Sequence, residues 1–170
     1  WYWMSNYSWG WAPFHYGRWF CHARRGWCWA PGNVWGPSWV TWRYGGNYCG
    51  WAPLPPAAGF TAGIGLTYHG ARVHSGFTFG LGVDSFSFVA AADFNNHRLD
   101  HCAVPRHRAP HVYGQTVPLA AIDGSHSRVV NHGIPAARMA STTRAQGRQF
   151  NIREASPHVA ANDRRERLEP

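Results

Sequence analysis

The 170-residue chain has no lysine: all 16 of its basic residues are arginine. Charged residues make up only 14% of it, and no acid occurs before Asp84. A chain this poor in carboxylates has few ways to build the paired acids of a glycoside hydrolase, with only Asp84, Asp93, Asp100 and Asp123 available before the C-terminal stretch. It also lacks the G-x-S-x-G nucleophile elbow, and Asp123, Ser125 and His126 in "DGSHS" stand too close in sequence to converge as a triad. No enzymatic activity and no cofactor are therefore expected. Four cysteines are present, Cys21, Cys28, Cys49 and Cys102, but no C-x-x-C, which removes the usual signature of a thioredoxin-like site, a zinc ribbon or a c-type haem. No apolar run reaches the roughly 18 residues that a membrane-spanning helix needs. The chain opens on "WYW", without an initiator Met or a recognisable signal peptide. It is expected to be a processed or truncated piece, which leaves room for an export signal ahead of it.

What is abundant is ring and turn. Eleven tryptophans, all before residue 57, accompany 19 glycines and 12 prolines. That composition favours short strands and many turns over helices. "GWAP" stands at 10–13, "GWCWAP" at 26–31 and "GWAP" again at 50–53. A period of about twenty residues suggests a small unit used three times. Trp1/Trp3, Trp9/Trp11 and Trp27/Trp29 sit at i and i+2, which on a strand puts both rings on one face. In "FCHARRGWC", Arg24 and Arg25 fit the tip of a hairpin with Cys21 facing Cys28 across it. Cys49–Cys102 would be the remaining disulfide candidate, and an even cysteine count in a turn-rich chain points to an oxidising compartment.

Residues 57–90 alternate bulky and bare. Phe60, Ile64, Leu66 and Tyr68 interleave with Thr61, Gly63, Gly65 and Thr67, and Phe77, Phe79, Leu81 and Val83 with Gly76, Thr78, Gly80 and Gly82. Period two predicts strands, and the bare faces are expected to receive indoles from the first zone. The expected fold is all-β, a Trp-rich repeat meander of short antiparallel strands packed on a Gly-rich sheet, with an extended, irregular C-terminal arm. Residues 1–90 would form the Trp/Gly-rich β module and residues 91–170 an extended Arg/His-rich arm with a disordered end. Within the arm, "VPRHRAPHVYGQTVPLAAI" is expected to be broken by its prolines into extended pieces. "SRVVNHGI" reads as a strand, "IPAARMAS" as a short helix and "QFNIRE" as a last strand. His97 and His101, at i and i+4 in "HRLDHC", are weak metal candidates. Arg98 stands where a zinc-protease helix would have Glu, so no metal site is expected.

Across residues 9–56, "GWAPFHYGRW", "GWCWAPG" and "VWGPSWVTWRYGG" followed by "YCGWAPLPP" resemble an uncharacterised family of exported bacterial proteins. Its members are rich in Tyr-Gly-Trp and Trp-Ala-Pro repeats and are often associated with FecR-like envelope domains. The resemblance continues more weakly through "FVAAADF", "AVPR" and "RVVNHGI" to about residue 135. It implies a periplasmic, cell-surface or extracellular location and a β-rich module, and it carries no catalytic residues over. The Asn-rich extended segments expected around 112–130 are replaced here by "VYGQTVPLAAIDGSHS". The function expected is that of an exported structural or interaction protein of the envelope or extracellular matrix. It would assemble with copies of itself or dock on another envelope protein. The alternative is a module that binds an anionic cell-wall glycan through exposed rings and arginines, with Tyr16, Arg18, Trp19, Trp42, Arg43 and Tyr44 as its ligand-binding candidates. Nucleic acid is not expected as a partner.

Overall fold

The computed structural model describes residues 1–5, 7–120, 122–125 and 128–143. The fold is all-β, as expected. It comprises β1 (Arg18–His22), β2 (Gly26–Ala30), β3 (Val40–Gly45), β4 (Tyr48–Pro53), β5 (Ala58–Thr61), β6 (Gly65–Tyr68), β7 (Ala71–Arg72) and β8 (Ser87–Ala90). Two short helices follow, α1 (Leu99–Cys102) and α2 (Ala109–Gln115), then β9 (Val117–Leu119), β10 (Ile122–Ser125), β11 (Arg128–Asn131) and α3 (Ala136–Ala140). Every strand pairing is antiparallel. The strand expected at 149–154 and the tail from 162 lie outside the described residues.

The central sheet has four strands in the order β8-β4-β3-β9. Its middle hairpin closes on a two-residue loop, Gly46-Asn47, with φ of 53° and 62°. Left-handed geometry at both loop positions matches the strand twist, and Gly and Asn are the residues that tolerate it. β1 and β2 form a separate two-stranded sheet, β5-β6-β7 a three-stranded one, and β10-β11 a last hairpin.

Two apolar clusters hold these sheets together. Trp39, Leu54, Ala58, Leu66, Phe79, Ile122 and Val129 form one; Val40, Trp42, Cys49, Val89, Ala91, Ile134 and Met139 form the other. The first joins the Trp-rich module to the Gly-rich sheet, but through that sheet's bulky face. Side chains built on Gly63, Gly65, Gly80 or Gly82 would meet nothing within 4 Å, so the bare positions face outward and not toward the indoles. Indoles meet glycine elsewhere: a methyl group on Gly36 would lie 2.8 Å from the Trp39 ring, and one on Gly133 2.7 Å from Trp42 Nε1. Residues 76–83 are not a strand either. They turn repeatedly, through Phe77 N–H to the His74 carbonyl and Leu81 N–H to the Thr78 carbonyl, with Phe79 at φ 55°. Their apolar side chains reach the cluster without a pairing partner for the backbone.

The described part of the arm is threaded into this core. β9 pairs with β3, and Val129, Ile134 and Met139 are buried. Pro110 starts α2 instead of breaking an extended piece, because a proline in the first helical turn removes only a donor that has no partner there. α3 follows Pro135 as expected.

Candidate functional site

The candidate site is an open, aromatic-walled groove of about 280 Å³. Six of the eleven tryptophans line it: Trp3, Trp9, Trp19, Trp27, Trp39 and Trp51. Five pieces of local structure deliver them. Trp19 and Trp27 come from the β1–β2 hairpin. Its register pairs Trp19 with Trp29 and Cys21 with Trp27, so all three indoles and Cys21 share one face. Trp51 is on β4, and buried Trp39 forms the floor just before β3. Trp3 is anchored by its N–H to the Pro37 carbonyl at 2.9 Å. Trp9 opens a stretch of turns in which Ala12 N–H donates to the Trp9 carbonyl and Phe14 N–H to the Gly10 carbonyl.

The rings brace one another. Phe14 stacks on Trp3 at 5.5 Å, on Trp19 at 6.1 Å and on Trp9 at 6.3 Å, and Tyr7 stacks on Trp9 at 4.8 Å. Such pairs add to the area they bury. Two indole N–H groups are committed to the protein, Trp19 to the Pro13 carbonyl at 2.8 Å and Trp39 to the His15 carbonyl at 2.9 Å. The groove therefore offers ring faces more than ring donors at those positions. Trp9 and Trp27 are 52% and 56% exposed, an unusual state for so large an apolar surface. The hydroxyl-bearing Ser85 and Ser87 complete the lining.

Behind the floor, the Arg18 guanidinium lies 3.4 Å from the centroid of the Trp39 ring and donates to the Ala58 and Gly17 carbonyls. Desolvation pulls its pKa down to about 10, so it stays charged at neutral pH. His15 stacks between Tyr2 and Trp35 with Nδ1 2.9 Å from the Gly36 carbonyl. Burial lowers its pKa, against the raising effect of nearby carbonyls.

Of the six residues expected to meet a ligand, only Trp19 lines the groove. Trp42 and Arg43 are corrections: they are 4% and 6% exposed and belong to the interior. Trp42 donates to Asn131 Oδ1 at 2.8 Å, and the same amide donates to the Ser38 and Val40 carbonyls. Arg43 donates to Thr116 Oγ1 and to the Tyr113 and Thr116 carbonyls, with its guanidinium 3.7 Å from the Tyr113 ring centroid. Alternation along β3 could not reveal this, because β9 and β11, which cover the strand, lie more than 70 residues away in sequence. Tyr16 is half-buried and its carbonyl accepts the Trp29 indole N–H; Tyr44 is half-buried against the second cluster. Trp3, Trp9, Trp27, Trp39 and Trp51 were missed as site residues, although the i, i+2 spacing of Trp27 and Trp29 already marked a shared face.

The cysteines are free. Cys28 opposes Phe20, not Cys21, so the two thiols sit on opposite faces of the hairpin. Cys49 is buried in the second cluster with its thiol pushed up to about 12 by desolvation, and Cys102 accepts from Asn96 Nδ2 at 3.2 Å. His97 precedes α1, a helix too short to align it with His101, which instead contacts Arg98 and Asp100. Among the described residues no three His, Cys, Asp or Glu side chains converge, and no helix is long and apolar enough to cross a membrane.

A family model matches residues 1–58: a family of unknown function, DUF6600. The matched range holds all eleven tryptophans and every lining residue of the groove except Ser85 and Ser87. No curated protein and no solved structure matches the chain.

Proposed function

We propose that this protein is a non-enzymatic binding module of the bacterial envelope or cell exterior, holding a polysaccharide chain across its tryptophan groove. The observation that carries the reading is the exposure of Trp9 and Trp27 at the mouth of a groove walled by four further indoles. Burying such rings is worth about 25 cal/mol per Å² of apolar surface, and the fold leaves that gain unused. Pyranose rings present flat C–H faces that stack on indole, while Ser85 and Ser87 suit their hydroxyls. An exported setting, with the repeat-rich family and its FecR-like neighbours, is part of the proposal and rests on the resemblance over residues 9–56.

Assembly through strand edges has less support. The outer edge of β8 is occupied by Val104 N–H bonded to the Phe88 carbonyl and by a bridge between Val89 and Ala103. β9 carries Pro118, which removes a ladder donor from the other edge. The test is titration with bacterial wall polysaccharide and with soluble gluco-oligosaccharides, followed by tryptophan emission. Saturable quenching that is lost in Trp27→Ala and Trp9→Ala supports the groove. An emission spectrum that no saccharide changes, together with a concentration-dependent increase in particle size, would point to assembly instead.

A further inference from the structure

We infer that the polysaccharide held in the groove is acidic, with its carboxylate or phosphate groups meeting Arg24 and Arg25; this rests on the groove reading above. The β1–β2 hairpin that supplies Trp19 and Trp27 ends in Ala23, Arg24 and Arg25, all exposed. The turn is fixed by Arg24 N–H donating to His22 Nδ1 and Arg25 N–H to the His22 carbonyl, both at 3.2 Å. Two cations therefore leave a defined turn next to Trp27.

Their setting differs from that of the other arginines before residue 50. Arg18 and Arg43 are committed to carbonyls and to aromatic rings inside the fold. The described ion pairs belong to Arg98, Asp100 and His101. No acid exists in the first 83 residues to neutralise the hairpin tip. Asp84, exposed and just before the lining residue Ser85, is the acid closest in sequence to the groove lining, so charge along the site is uneven. An acidic chain with its sugar faces on the indoles and its anions at the hairpin tip satisfies both features. Single-stranded nucleic acid fits less well. Its binders track the phosphates with cations along the whole groove, whereas here the lining holds no cation and the nearby arginines are confined to the hairpin tip.

The test compares an oligogalacturonate with a neutral gluco-oligosaccharide of equal length, by calorimetry and tryptophan emission. The acidic oligomer should bind roughly five- to tenfold more tightly, the advantage of two exposed charge contacts. That advantage should vanish between about 0.1 M and about 1 M salt, as the screening length falls from about 10 to about 3 Å. It should also vanish in the Arg24→Gln/Arg25→Gln double variant, with neutral binding unchanged. Equal affinity for the two oligomers, indifferent to salt and to the double variant, overturns the acidic ligand and leaves the groove reading standing. Binding of neither oligomer and of no wall polysaccharide removes the groove reading and this inference together. Displacement of the saccharide by mixed-sequence single-stranded DNA at lower concentration overturns it in favour of nucleic acid.

Discussion

The hairpins β1–β2 and β3–β4 are made from nearly the same material. Each has paired indoles at facing positions, Trp19 with Trp29 and Trp42 with Trp51, each ends near Trp-Ala-Pro, and each includes cysteine. Their surroundings differ. β3–β4 lies between β8 and β9, with Asn131 bonded to Trp42 and Phe94 against both its indoles. Among the described residues β1–β2 pairs with nothing further and leaves Trp27 and Trp29 exposed. The same side chain is thus a core component in one hairpin and an exposed surface in the other. Neighbours, and not residue type, divide the roles.

The largest effect should come from the rings themselves. Trp42→Ala removes a buried indole and leaves Asn131 Oδ1 without its donor, and is expected to cost about 3–5 kcal/mol in denaturant unfolding. Trp27→Ala should change stability by no more than about 0.5 kcal/mol while abolishing saccharide quenching. Equal losses in the two variants would erase the distinction between the hairpins.

The arginines give a middle-sized contrast. Arg43→Met fills similar space but strips donors from the Tyr113 and Thr116 carbonyls, at an expected cost of about 1–3 kcal/mol. Arg24→Met, at the exposed hairpin tip, should be neutral within about 0.5 kcal/mol. A thermal melt of the pair suffices to compare them.

The cysteines sharpen the comparison with the least perturbation. Exposed Cys21 should react with a thiol reagent in the native protein, and Cys49 only after unfolding. Because the folded pKa of Cys49, about 12, lies above its ordinary 9.0, the unfolded chain loses that proton first as pH rises. Its neutral burial is therefore without penalty below about pH 9, and stability should fall between about pH 9 and 12. A Cys49→Ala variant should lack that part of the alkaline decline.

Much of the local build was legible. The turn at Arg24-Arg25, the strand at 128–131 and the helix after Pro135 follow from alternation and from turn and capping residues. The repeat misled as structure: "GWAP" is a run of turns at 10–13 but strand at 50–53. An isolated tetrapeptide has too little intrinsic preference to resist its surroundings. The Gly-rich segment misled in another way. Its period of two was real, yet at 76–83 no partner strand among the described residues turns alternation into a sheet. The site was legible only as a surplus of indole. Choosing Trp42 and Arg43 over Trp9 and Trp27 followed from adjacent aromatic and basic residues, which say nothing about what covers them.

By itself the sequence determined an antiparallel, turn-rich chain with stacked rings and a cationic first half, because pairing period, turn geometry and charge are properties of near neighbours. Only the tertiary structure decided which indoles are hidden. That depends on Asn131, Thr116 and Phe94 arriving from distant parts of the chain to cover β3 and β4, while among the described residues Trp9 and Trp27 keep more than half of their surface exposed. Burial is set by those long-range contacts, and a run of residues does not encode them locally.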